Sequence, residues 1–156
     1  MKKLILLFII LTLTLSGCWV TPDDYSKFIA TVEKLDTPQK IGDYMLENFI
    51  YETNSILLDP YQLFLIKRGN CDDFSLFATS IANYHGYETY QILAELPLGY
   101  HMIGVFKEGN YYNISENTLY IECFCENFKE IMNFYLYHDW ISYKVYDYNM
   151  NLIEQN

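Results

Sequence analysis

The stretch from Asn70 to Gly86 leaves the backbone little choice. Asn70 can cap a helix whose first three residues are Cys71, Asp72 and Asp73, with Asp73 reaching back to the Asn70 amide. Phe74, Phe77, Ala78, Ile81 and Ala82 follow at helical spacing and form one core-facing stripe, and Gly86 ends the helix. Such a stripe needs a surface to lie on, and the residues that follow read as a sheet. Tyr87 to Ala94 alternates as a strand. After the turn Leu96-Pro97-Leu98-Gly99, His101 to Phe106 and Tyr111 to Ser115 flank Lys107-Glu108-Gly109-Asn110, a hairpin with Gly at the positive-φ position. Asn127 and Glu130 open another capped helix through Ile131, Met132, Phe134 and Tyr135, and Ser142 to Asp147 is a last strand. The class is α+β.

Upstream, Thr37-Pro38 reads as an N-cap with Pro at the first helical position, followed by a stripe of Ile41, Tyr44, Met45 and Phe49. Asp59-Pro60-Tyr61-Gln62 is a second capped start, and that short helix should stop near Arg68-Gly69 because Gly takes the left-handed position cheaply. With 156 residues, 51% hydrophobic, the chain can bury the core of one domain. Most of its 16 Tyr and 10 Phe fall on core-facing stripes rather than marking a glycan- or peptide-binding surface. The formal charge of −10 repels polyanions, which sets nucleic-acid binding aside.

The beginning of the chain is not part of the fold. Met1-Lys2-Lys3 is followed by an apolar run from Leu4 to Leu15, broken only by Thr12 and Thr14. Such a run reaches about 18 Å as a helix, short of a roughly 30 Å hydrocarbon layer, so it reads as a signal peptide. Leu15-Ser16-Gly17-Cys18 resembles a bacterial lipobox, which implies a leader over 1–17 and lipidation of Cys18. The product would be held at the exported side of a cell membrane or outer membrane. Residues 18–36 read as a short tether, partly helical around Phe28 to Val32, and 37–153 as the domain.

Cys71 and His101 are the candidates for chemistry. A thiol at a helix N-terminus has its thiolate stabilised by unpaired amides and the aligned dipole. Asp72 and Asp73 oppose this, but acids at the second and third helical positions normally point outward. A nearby imidazole would take the proton and return it to a leaving amine. His85 lies about 21 Å along the same helix and cannot reach Cys71. His138 follows the last helix, and His101 opens a strand at an edge position from which a side chain can face a helix end. The plain alternative makes Cys71 a small buried residue and His101 incidental.

The run Ile41-Gly42-Asp43-Tyr44-Met45, Phe49-Ile50-Tyr51 and Gly69-Asn70-Cys71-Asp72-Asp73-Phe74-Ser75 resembles the transglutaminase-like superfamily. Gly86-Tyr87, His101 and Lys107-Glu108-Gly109-Asn110-Tyr111-Tyr112 continue the same order. The resemblance runs from about Thr37 to Ile153. It implies a papain-like arrangement, with a nucleophile helix packed on an antiparallel sheet that bears the His and a third polar residue. It also implies acyl chemistry on amide or isopeptide bonds of a protein or peptide, cell-wall peptide being one candidate. Cys71 would be the nucleophile and His101 the base, with the Cys71 amide and a group near the preceding helix, Gln62, binding the oxyanion.

One position departs from the family pattern. Where the family usually has Asp, alignment on the hairpin's aromatic pair puts Ser115, and strand alternation puts Asn113, Ser115 and Asn117 on one face. Ser115 and Asn117 are therefore joint candidates to orient the imidazole. The departure also leaves room for a binding module that kept the fold and lost turnover. Cys123-Phe124-Cys125 has no second Cys or His pair at zinc-ligand spacing, so it reads as packing rather than a metal site or a redox pair. No cofactor is expected. An exported thiol can also be disarmed by a disulfide, so a pairing of Cys71 with Cys123 or Cys125 is the rival to catalysis.

Overall fold

The computed structural model describes residues 22–136 and 139–156. Helices α1 (Pro22–Val32), α2 (Pro38–Asn48), α3 (Pro60–Ile66) and α4 (Cys71–Tyr84) come first, with the short strands β1 (Ile50–Tyr51) and β2 (Arg68–Gly69) among them. Strands β3 (Glu88–Leu96), β4 (Gly99–Glu108), β5 (Tyr111–Glu116) and β6 (Leu119–Cys125) follow. Helix α5 (Phe128–Leu136), β7 (Ser142–Asp147) and β8 (Leu152–Gln155) complete the chain. The lipobox, Cys18 and His138 lie outside the described residues. Among those residues, no helix is long and apolar enough to cross a membrane.

The six longer strands form one antiparallel sheet in the order β6-β5-β4-β3-β7-β8, while β1 and β2 pair in parallel beside it. The β4–β5 connection is the two-residue loop Gly109-Asn110, and Gly109 takes φ +66°, which a residue with a Cβ rarely adopts. Side chains alternate across this sheet. Phe106 on β4 joins Phe74, Phe77, Ala78 and Ile81 of α4 and Ile41 and Met45 of α2 in one core. Ile103 and Val105 of the same strand point the other way, into a second core with Ile92, Ile114, and Ile131 and Met132 of α5. The sheet is thus covered on both faces. Each fully buried Phe or Ile contributes about 1.5–3 kcal/mol.

Both expected helix starts hold. Thr37 accepts the Lys40 amide at 3.3 Å, and Asp59 and Gln62 exchange bonds of 2.8 and 3.0 Å. Glycine does not end α3, however. Lys67 takes the left-handed position at φ 62°, its ammonium 3.8 Å from the Phe64 ring centroid. Gly69 serves a different need, since a Cβ there would meet Asp73 Oδ2 at 2.8 Å and Leu63 Cδ1 at 2.9 Å. The described part of the expected tether, residues 22–36, is packed onto the domain. The helix begins at Pro22, Phe28 lies 5.3 Å from the rings of Tyr61 and Phe64, and Val32 and Leu35 are buried. The tyrosines are less buried than their stripes imply. Tyr143 is fully buried, but Tyr25, Tyr51, Tyr84, Tyr100, Tyr111 and Tyr148 are exposed.

Gly42 is where α2 meets β6. A Cβ at this position would lie 2.6 Å from Tyr120 Cβ and 2.9 Å from the Tyr120 backbone nitrogen. Alanine is the better helix former by about 1 kcal/mol, but it cannot be accommodated without moving backbone. Gly42→Ala is therefore expected to lower unfolding free energy by about 1–3 kcal/mol in urea titration. Equal or greater stability would mean that the helix and strand can separate freely.

Candidate active site

Cys71 is the first residue of α4. The Asn70 side chain accepts the Asp72 and Asp73 amides at 3.0 and 3.3 Å, while Asp73 accepts the Asn70 amide at 2.9 Å. This cap uses the second and third helical amides and leaves that of Cys71 available to a ligand. The thiol is half-buried and donates to Asp72 Oδ1 at 3.4 Å. Asp73 corrects the expectation that both acids face outward, because it is fully buried. It accepts from the Leu58 amide at 2.7 Å and from Asn54 Nδ2 at 2.6 Å, and so ties the segment before α3 to the start of α4.

His101 stands near the start of β4 on the same face as Ile103 and Val105. Strand β5 pairs with β4 only from Gly104 to Glu108, so the first residues of β4 have a free edge on that side. There the imidazole lies near enough to Cys71 for the two groups to interact. Its Nε2 lies 2.7 Å from Glu116 Oε2. Burial disfavours the imidazolium. Its interactions with Cys71 and Glu116 outweigh that and raise its pKa to about 10. The side chains of His101 and Glu116 are only 17% and 7% exposed, so this pair is little screened by water.

Glu116 is the residue that the sequence-based expectation missed. Besides His101, its carboxylate accepts from Asn117 Nδ2 at 2.7 Å and lies near the Tyr135 phenol of α5. Tyr135 also stacks on His101, with ring centroids 6.3 Å apart. Burial first, and then this carboxylate, push the Tyr135 phenol well above its ordinary range. Ser115 does not orient the imidazole. It sits opposite Gly104 on the face toward α4, with its Oγ 3.4 Å from the Asn117 carbonyl. Asn117 braces Glu116 instead of meeting His101, from a turn position with φ 49°.

Gln62 is exposed on α3, with its carbonyl held by the Asp59 amide, and its placement is explained by the helix cap. Tyr51 of β1, 53% exposed, lies near enough to the site to feel its charges. Burial, followed by the charges of Cys71, Asp72 and Glu116, raises its phenol pKa. His85 is remote from the thiol, with its Nε2 2.8 Å from the Val32 carbonyl at the end of α1. Among the described residues Cys71, Cys123 and Cys125 are free thiols, so Cys71 is not paired with Cys123 or Cys125. Cys123 donates to the Tyr112 carbonyl at 3.1 Å, while burial, assisted by Cys123, pushes the Cys125 thiol up to about 12.

A capped Cys at the head of a helix, laid on an antiparallel sheet that carries its His partner, defines a transglutaminase-like α+β fold. Solved structures of Legionella pneumophila LapG share it. One is 17% identical and matches 70% of this chain and 72% of that one, with a TM-score of 0.50. The calcium-bound form is 14% identical over 93% and 88% of the two chains, with a TM-score of 0.55. The EGTA-treated form is 15% identical over 85% and 77%, with a TM-score of 0.54. At such identities the likeness is one of fold. No family model matches the chain, and no curated protein matches it in sequence. The calcium belongs to LapG. In this chain both oxygens of Asp73 are taken by protein donors, and among the described residues no three His, Cys, Asp or Glu side chains gather as a cation site.

Proposed function

We propose that this chain is a membrane-anchored cysteine enzyme that cleaves or transfers amide or isopeptide bonds of proteins or peptides. The observation that carries this reading is the chain of contacts from Cys71 through His101 to Glu116. It combines a nucleophile, a base and a buried anion that orients the base, which is the arrangement acyl transfer requires. The Cys71 sulfur bonds to the carbonyl carbon, and the displaced electron pair moves onto oxygen. The Cys71 amide, which the cap leaves free, would receive that charge, and the Tyr51 hydroxyl would take the part expected of Gln62. His101 then gives its proton to the departing amine, leaving a thioester on Cys71. Water releases a carboxylate and gives hydrolysis, whereas a second amine gives a cross-link.

The buried carboxylate of Glu116 favours an enzyme over a binding module, because it supplies the charge that Ser115 lacks. Lipidation at Cys18 would keep the site at the exported membrane face, where cell-wall peptide is one available substrate. The test is substoichiometric iodoacetamide followed by mapping of the modified thiol. Cys71 is expected to label first, since Cys125 is held as a thiol by burial and Cys123 is engaged with the Tyr112 carbonyl. His101→Ala should remove that advantage. Equal labelling of Cys71 and Cys123, unaffected by His101→Ala, would leave only a binding module.

A further inference from the structure

Cys123 and Cys125 stand apart from the reacting pair. Cys125 faces Tyr112 across β5 and β6, and Tyr112 faces Lys107, six residues along β4 from His101 and so about 20 Å from it. Packing accounts for Cys125, which shares a core with Phe128 and Ile131 of α5, but Cys123 is only half-buried. Between them Phe124 is 59% exposed and takes φ 50°, where the ladder of β5 and β6 shifts register. The buried side chain of Asn113 holds this bulge, its Oδ1 accepting the Cys123 and Phe124 amides at 3.1 Å each. In a regular strand the Cα atoms of residues i and i+2 lie about 6.6 Å apart, close to the upper limit for a disulfide of about 6.8 Å. A left-handed residue between them shortens that span to about 5.4 Å, well inside the range. The sulfurs gather accordingly. Cys123 Sγ lies 3.1 Å from the Tyr112 carbonyl, and Cys125 Sγ lies 3.8 Å from the Cys123 carbonyl.

We propose that Cys123 and Cys125 form a redox site, in which the dithiol reduces a small or protein disulfide and closes on itself across the β6 bulge. The Cys123 thiolate attacks one sulfur of the oxidant, whose sulfur–sulfur bond breaks and releases the other half as a thiolate. Cys125 then gives up its proton and attacks the Cys123 sulfur, displacing the second half. The pair loses two hydrogens and the oxidant becomes two thiols. Oxidants of this class belong to exported compartments, so the use of the site in the cell rests on the leader read at residues 1–17. Its chemistry does not rest on Cys71. Burial, assisted by Cys123, pushes the Cys125 thiol up to about 12, the reverse of the thiolate stabilisation that makes a pair strongly oxidising, so the ring is retained once closed. A ring over one intervening residue removes little chain entropy, which makes its role chemical rather than stabilising. Closing it also consumes the two thiols that would otherwise compete to couple with Cys71.

The test equilibrates the full chain with mixtures of reduced and oxidised glutathione, quenches in acid, blocks free thiols with N-ethylmaleimide and maps the cysteine peptides by mass. As the oxidised fraction rises, the peptide that holds Cys123 and Cys125 is expected to lose two hydrogens and both maleimides together. Cys71→Ser should leave that transition where it is. In Cys125→Ser the reaction should stop at the mixed disulfide, with a glutathione adduct on Cys123 at least about tenfold more abundant than in the native chain. In concentrated urea, where nothing holds Phe124 left-handed, the ring should form at least about tenfold less readily. A glutathione adduct that persists on Cys123 of the native chain, or maleimide on both thiols at the highest oxidised fraction, would overturn the site. Pairing of either thiol with another cysteine, or equal closure in urea, would overturn it as well.

Discussion

Glu116→Gln is expected to slow acylation of Cys71 by about 10²-fold or more while leaving the fold in place. The substitution keeps the shape and one acceptor for His101 but removes the charge that holds the imidazolium. Native His101 titrates near 10, above its ordinary 6.5, so the protonated base persists well into the alkaline range. Without the Glu116 charge, the alkaline limb of the labelling profile should move down by about one pH unit or more. Stability should follow the same linkage. Because the folded pKa is raised, the stability contributed by His101 is fully present below pH 6.5 and is lost as pH rises towards 10. In Glu116→Gln that loss should be smaller and complete at lower pH, as read from urea midpoints measured between pH 5 and 10. Ser115→Ala is the contrasting variant, since its hydroxyl lies 3.4 Å from a backbone carbonyl and contributes nothing to the imidazole. An unchanged alkaline limb in Glu116→Gln, or a large rate loss in Ser115→Ala, would return the third position to Ser115.

Where local chemistry determined an element, the sequence was enough. The boxes at Asp59 and Asn70, the Pro at the start of α2 and the stripe on α4 all act within a few residues, and each formed as expected. Elements that depend on distant partners were not legible. Strand β8 presents four exposed residues, so no alternation marks it, and only its pairing with β7 makes it a strand. Helix α1 gave a faint signal because its apolar residues are few, and its packing on Tyr61 and Phe64 lies more than thirty residues away in the chain.

The active site divides along the same line. Cys71 was legible from its cap and His101 from its strand, but Glu116 required the hairpin register. With the two-residue loop Gly109-Asn110, Gly104 faces Ser115, so residues of opposite parity share a face across β4 and β5. The partners available on the face of odd-numbered His101 are therefore even-numbered, and Glu116 is the one whose side chain meets the imidazole. Alignment on the aromatic pair selected the odd-numbered set, which faces α4. A four-residue turn over Lys107 to Asn110 gives the same parity, so the hairpin alone pointed to the even-numbered set and the alignment on the aromatic pair led away from it.

Asp73→Ala is expected to destabilise the domain by about 3–5 kcal/mol, a large share of the total for a domain of this size. Asp73 is fully buried, and its two oxygens accept three donors, namely the Leu58 amide, the Asn54 side chain and the Asn70 amide. Removing the carboxylate would orphan all three at once in a place where water cannot replace it. Gly69 packs against the same carboxylate, since a Cβ there would lie 2.8 Å from Asp73 Oδ2. Asn54→Ala deletes only one of the three bonds and should cost about 1 kcal/mol, which makes the two variants a graded pair. Urea midpoints measure the difference, with Asp73→Ala falling by about 1–3 M for an ordinary denaturant slope. A loss of stability below about 1 kcal/mol would mean that the three donors find other partners and that Asp73 does not hold the two segments together.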